Sequence, residues 1–284
     1  MEKIMEIQNL RKIYRVGDEK IVALNKIDLE IYKGEICCLL GTSGSGKSTL
    51  LNMMAGLEKP SRGTVKIKNK TITKFNEDQM AYFRQKHIGF IFQSYNLIQS
   101  MTALENVSLP LIFRGVPHKL RKKRALKLLK DVGISKYAKH RPNQMSGGQQ
   151  QRIGIARAFA ANPEIIFADE PTGNLDFRTT KEVMKLMVNI AREKNQTLII
   201  VTHDRSIADY ADRVVYIFDG NVKDIEVRNR NTNKLVDLKE QEDIADIKET
   251  NLEFSDDKDI KEDELKKNKE NEEKLEDDDE NKEI

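Results

Sequence analysis

The stretch Gly41-Thr42-Ser43-Gly44-Ser45-Gly46-Lys47-Ser48 constrains this chain more than any other, because of what flanks it. Ile36-Cys37-Cys38-Leu39-Leu40 precedes it without polar alternation, as a strand buried on both faces requires. Lys47-Ser48-Thr49-Leu50 and onward to Ala55 reads as a helix. Strand, glycine loop and helix form the context in which G-x-x-x-x-G-K-[ST] cradles phosphates. Gly41, Gly44 and Gly46 let backbone N–H groups close round the anion. The helix N-terminus adds partial positive charge and Lys47 a full one. Ser48 is placed to ligate Mg²⁺.

A second glycine motif, Ser146-Gly147-Gly148-Gln149, follows about a hundred residues later. Ser146 and Gln149 fit the S-x-x-Q capping box, so this is another helix start, and Gln149 to Ala161 continues at helical spacing. Two glycines in a first turn lower helix stability. They make sense where something must approach the backbone closely.

The rest of the chain reads as α/β. Met5 to Leu10, Ile27 to Ile31 and Thr64 to Lys68 alternate in polarity, which predicts an N-terminal β-rich layer. Thr102 to Ala161 is mainly helical and includes the basic run Lys119 to Arg124. Beyond it strand and helix alternate: Ile165 to Ala168, Lys181 to Glu193, Leu198 to Val201, Val214 to Ile217. That order predicts a mostly parallel sheet. Polar side chains close several apolar strands, where α/β sheets hold ligands. Asp169 suits Mg²⁺ coordination and Glu170 suits deprotonation of an attacking water. His203 suits contact with a γ-phosphate or a plain polar turn. Gln93 suits metal-bound water or a structural role, and Tyr14 suits stacking on adenine or packing under the β layer.

The formal charge of +3 hides a division. Residues 240–284 hold 21 acidic and 8 basic side chains, a net −13, which leaves +16 on residues 1–239. With almost no aromatic or β-branched residues, the tail lacks the apolar surface to fold alone. The expected division is a domain at 1–228, a transition segment at 229–244 and a disordered charged tail at 245–284. The two cysteines, Cys37 and Cys38, read as small core hydrophobes in a reducing compartment. No signal peptide is evident, and no apolar run approaches the roughly 18 residues that cross a bilayer. The expectation is a cytosolic chain whose membrane role needs a partner.

The ordered set Tyr14, Gly41–Ser48, Gln93, Ser146–Gln149, Asp169-Glu170, Asp176 and His203 resembles the ATP-binding subunits of ABC transporters. The resemblance covers residues 1 to about 225. It implies a P-loop NTPase fold with an antiparallel β subdomain and a helical subdomain carrying the signature Ser146–Gln149. ATP and Mg²⁺ would be bound by Tyr14, by Gly41, Thr42, Ser43, Gly44, Ser45, Gly46, Lys47, Ser48 and Thr49, and by Gln93, Asp169 and Asp176. Glu170, His203, Gln93 and Lys47 would be catalytic, with Ser48, Gln93 and Asp169 on the metal. It also implies a homodimer in which each ATP lies between one subunit's phosphate loop and the other's signature. The segments Glu170 to Asp176, Phe92 to Ile98 and Glu105 to Pro110 resemble the bacterial group of lipoprotein-release, macrolide-export and bacitracin-type export ATPases. That group implies an integral-membrane permease partner and a peripheral position on the inner face of the cell membrane. Met145 departs from the family's usual leucine, and the acidic tail lies outside its pattern.

The resemblance leaves two alternatives to transport. One is a mechanotransmission ATPase that controls an extracytoplasmic partner. The other is a soluble nucleic-acid-associated ATPase, which needs a long coiled coil between the two glycine motifs. No heptad run is present there, so no nucleic-acid partner is expected. The basic run at Lys119–Arg124 reads as a solvated helix face or as a neighbour of anionic lipid.

Overall fold

The computed structural model describes residues 2–228; the expected transition segment and tail lie outside the described residues. The chain runs through β1 (Lys3–Val16), β2 (Glu19–Tyr32), β3 (Ile36–Leu40) and α1 (Lys47–Met54), then β4 (Arg62–Ile67) and β5 (Lys70–Thr71). Helix α2 (Glu77–His87) leads into β6 (Ile88–Phe92). Helices α3 (Ala103–Phe113), α4 (His118–Asp131) and α5 (Gly147–Ala160) follow. The last elements are β7 (Ile165–Asp169), α6 (Phe177–Glu193), β8 (Thr197–Thr202), β9 (Arg213–Phe218) and β10 (Asn221–Val227).

Two sheets result. The antiparallel one has the order β2-β1-β4-β5, and the central one β10-β9-β3-β8-β7-β6. In the central sheet β9, β3, β8, β7 and β6 are parallel, and β10 adds an antiparallel edge. The fold is α/β with a mostly parallel core sheet, an N-terminal antiparallel layer and a helical segment carrying the second glycine motif.

Alternation along β3 sends its two cysteines to opposite faces. Cys38 joins Ile36, Leu40 and the buried sides of α3, α5 and α6. Cys37 joins Leu39, the α1 residues Leu50 and Met53, and the antiparallel sheet. Burial pushes both thiols up, Cys38 to about 12, so neither is a thiolate near neutral pH.

The first strands are longer than their alternating segments. Past Leu10 the β1–β2 hairpin leaves the core, and Val16, Ile21 and Val22 are exposed. Alternation fades where neither face is buried. The edge strand β10 carries Lys223, Asp224 and Glu226, and its burial is only partial, so it gave no apolar signal. Helix α6 starts at Phe177 instead of Lys181 because the Asp176 carboxylate caps it, accepting from Thr179 N–H.

A buried ion pair joins the two sheets' ends. The Arg213 guanidinium donates to both Glu35 oxygens, at 2.6 and 3.2 Å, and both side chains are nearly inaccessible. Removing one partner strands a buried charge. Glu35→Ala is expected to destabilise the domain by about 3 kcal/mol in denaturant unfolding, whereas an exposed pair such as Lys33–Glu2 should contribute at most about 1 kcal/mol.

Candidate active site

The phosphate loop sits between β3 and α1 and is closed by backbone constraints that only glycine meets. Gly46 has φ 96°, and a Cβ there would lie 2.5 Å from the Ala23 carbonyl oxygen. A Cβ on Gly41 would lie 2.1 Å from the Ile217 carbonyl oxygen. Lys47 is buried along its stem, and its ammonium donates to the Thr42 carbonyl at 2.7 Å, across the loop. Ser45 is buried and its hydroxyl has no protein partner. The loop therefore holds a cation, backbone N–H groups and a spare hydroxyl within a few residues.

The ends of β7 and β8 bring the carboxylates alongside. Ser48 Oγ donates to Asp169 Oδ1 at 3.1 Å. Burial, opposed by that bond, holds the Asp169 carboxyl above the usual carboxylate range, and the neighbouring Glu170 charge adds to the rise. An oxygen-only pair with an under-compensated carboxylate suits a hard divalent cation such as Mg²⁺. Glu170 follows with φ 44°, a left-handed backbone that costs a non-glycine residue roughly 1–2 kcal/mol. Its N–H donates to the Val201 carbonyl at 2.9 Å and its carbonyl accepts from Gly173 N–H at 3.1 Å. The side chain is held at both oxygens: His203 Nδ1 lies 2.8 Å from Oε1, and Thr202 Oγ1 donates to Oε2 at 3.1 Å.

Tyr14 packs beside the start of α1. Its phenol hydrogen-bonds Glu58 at 2.8 Å and also Thr49, and burial together with Glu58 raises its pKa. Lys12 Nζ lies 5.0 Å from the ring centroid.

Gln93 follows β6 and adjoins the loop after Glu170. Asn174 donates to the Gln93 carbonyl at 3.0 Å, and the Gln93 amide nitrogen lies 2.7 Å from where a Gly173 Cβ would be. The second glycine motif forms a separate cluster. Ser146 caps α5 through a reciprocal box: its hydroxyl accepts from Gln149 N–H at 3.4 Å, and Gln149 Oε1 accepts from Ser146 N–H at 3.0 Å. The close neighbours of the glycines within this chain are its own side chains. A Cβ on Gly147 would meet the Tyr95 hydroxyl, and one on Gly148 the Thr179 methyl, each at 2.8 Å. Arg157, further along α5, donates to the Tyr95 and Asn96 carbonyls. Both of those residues have positive φ. Sequence reasoning did not single out Thr202, Tyr95 or Arg157. Thr202 was signalled only by its place beside His203 at a strand end, and the other two carry no local pattern.

Residues 24–173 match the family described as ABC transporter. An uncharacterized ABC transporter ATP-binding protein of Thermotoga maritima is 46% identical over 228 residues, 80% of this chain and 97% of the relative. The macrolide export ATP-binding/permease protein MacB of Vibrio parahaemolyticus is 42% identical over 219 residues, 77% of this chain but 33% of the relative. Among solved structures, the ATP-binding cassette MJ0796, in a dimeric post-hydrolysis state bound to ADP and Pi, superposes with a TM-score of 0.75 at 43% identity. The alignment covers 80% of this chain and 99% of the cassette. These matches and the strand-end arrangement agree on one assignment: the chain belongs to the ABC transporter family, as an ATP-binding cassette with ATPase activity.

Proposed function

We propose that this chain works as a homodimer that hydrolyses ATP to drive an integral-membrane export permease. The observation that carries the catalytic part is the convergence of Lys47, Ser48, Asp169, Glu170 and His203 at adjacent strand ends. Loop N–H groups and Lys47 neutralise the phosphates and favour the charge that grows on them in the transition state. Glu170 accepts the proton of the attacking water, and the exposed His203 turns from Glu170 to the γ-phosphate. Ser48, Asp169 and Gln93 would hold Mg²⁺, which would supply positive charge to the phosphates. Tyr14 offers its ring to the adenine. Ser146, Gly147, Gly148 and Gln149, with Asp176 close by, complete the site of the partner subunit. A second helix N-terminus directed at the γ-phosphate gives those glycines a purpose that local stability does not.

Export is supported by the MacB relatives, macrolide export ATP-binding/permease proteins that join an ATP-binding part to a permease. Such a cassette would sit peripherally on the cytoplasmic face of the cell membrane. No helix among the described residues is long and apolar enough to cross a membrane. The test is affinity purification of the tagged chain from detergent-extracted membranes, followed by reconstitution of whatever multispan protein accompanies it. A co-purifying permease that raises the ATPase rate in proteoliposomes is the expected result. A chain that emerges alone and is insensitive to every membrane fraction would sink the proposal.

The domain division is part of the same reading. A chain ending at Asp243 is expected to hydrolyse ATP within about twofold of the full-length rate, because every site residue precedes Arg205. Loss of ATP binding in that truncation would move the boundary.

A further inference from the structure

We propose that Thr202 is a positioning residue, the fixed anchor of the Glu170 carboxylate, while His203 is the movable one. The inference rests on the reading of Glu170 as the base and goes beyond it by asking what keeps the base aimed when the histidine leaves.

The two side chains that hold Glu170 differ in freedom. The His203 side chain is 63% exposed, and it touches only one carboxylate oxygen, Oε1. Thr202 is 2% exposed and closes a strand buried along its whole length. Its neighbours on the sheet are Leu40 of β3 on one side and the β7 end on the other. Its carbonyl accepts from Gly41 N–H at 3.4 Å, so the same residue borders the phosphate loop and the base. The side chain is enclosed, and a β-branched threonine has little χ1 freedom.

The direction of the Thr202–Glu170 bond follows from counting hydrogens. A hydroxyl has one hydrogen to give and lone pairs to accept with. Asp204 N–H can only donate, and it points to Thr202 Oγ1 at 3.1 Å. The hydroxyl hydrogen is left for Glu170 Oε2, at 3.1 Å. Asp204 is itself fixed, because its carboxylate accepts from Ser206 N–H at 2.8 Å at the head of the next turn. A chain of three hydrogen bonds, Ser206 to Asp204 to Thr202 to Glu170, thus ends on the base. The backbone of Glu170 is pinned at its N–H and its carbonyl. Its side chain would still turn about its own bonds if Thr202 did not hold Oε2. When His203 swings to a phosphate, Oε1 is released to take a proton from water and Oε2 stays tethered. Fixing the base within bond reach of the water is what general-base catalysis demands.

The experiment uses the full-length chain with Thr202→Val, which keeps the shape and removes the hydroxyl, and Thr202→Ser, which keeps the hydroxyl. Each is made alone and in a Glu170→Gln background. ATP turnover, KM and dimer formation with ATP are read. Thr202→Val is expected to lower kcat roughly 10–10²-fold, the usual worth of a hydrogen bond to a charged group, with KM within about twofold. Thr202→Ser should return kcat to within about threefold of wild type. In the Glu170→Gln background, Thr202→Val should add little, as residues acting through one group are not additive. A kcat within twofold of wild type in Thr202→Val overturns the inference, provided Glu170→Gln is severely slowed. So does a loss that serine fails to restore, or one that is equally large on top of Glu170→Gln. A Glu170→Gln chain that turns over at the wild-type rate fails the base reading itself, and this inference falls with it.

Discussion

Glu170→Gln is expected to bind ATP normally and to hydrolyse it roughly 10²–10⁴-fold more slowly, the usual contribution of a general base. The amide is nearly isosteric with the carboxylate and can keep the contacts to Thr202 and His203, so the loss falls on proton abstraction and not on folding. If ATP binding closes the proposed dimer and hydrolysis opens it, the variant should accumulate as an ATP-bound dimer on size exclusion, and the wild type should not. Single-turnover hydrolysis separates this slowing from slow product release. A wild-type rate would remove Glu170 from the mechanism. The left-handed φ of Glu170 adds a side expectation. Substituting neighbours that fix this turn, such as Gly173, whose N–H holds the Glu170 carbonyl and whose Cβ would meet Gln93, should slow hydrolysis without touching the carboxylate.

Mixing two inactive variants is expected to restore activity. Ser146→Arg loses the cap of α5, worth about 1 kcal/mol of helix stability, and crowds the approach to the partner's γ-phosphate. Lys47→Ala removes the loop cation. A homodimer of either has no site with both halves intact. On the proposed arrangement a mixed dimer would have one complete site, built from the Lys47 of one subunit and the Ser146 of the other, while the second site would lack both. Turnover in the mixture well above either variant alone, with one tightly bound ATP per mixed dimer, is the predicted outcome. Equal activity in mixture and separate samples would argue that the site is not shared between subunits. The geometry within one chain motivates the experiment: the Ser146 cluster packs on Tyr95 and Thr179, and the phosphate loop packs on Asp169 and Thr202. Among the described residues, no hydrogen bond joins Ser146–Gln149 to the phosphate loop.

The parts of this protein fixed by local chemistry were readable in its sequence. Ile36–Leu40 and Ile88–Phe92 are strands at the predicted residues because a short apolar run bounded by glycine or polar residues has few other homes. The capping box at Ser146 formed as its spacing required, since cap and helix are three residues apart. The phosphate loop was legible for the same reason: its glycines, lysine and serine act within one turn of chain. Features that depend on distant partners were not legible. The start of α6 was missed for a local reason, because the turn Phe177 to Thr180 that Asp176 caps shows no apolar period. The edge strand β10 forms by pairing with β9, despite its charged residues. The two anchors of Glu170 come from a strand more than thirty residues away, and Arg157 reaches the Tyr95 carbonyl across 62 residues of sequence. Such bonds cost chain entropy that only a finished core offsets, so no local pattern announces them. The sequence by itself determined the phosphate chemistry, the α/β class and the carboxylate pair. Tertiary structure decided how the Glu170 carboxylate is held, because its partners Thr202 and His203 are brought to it only when β7 and β8 lie side by side.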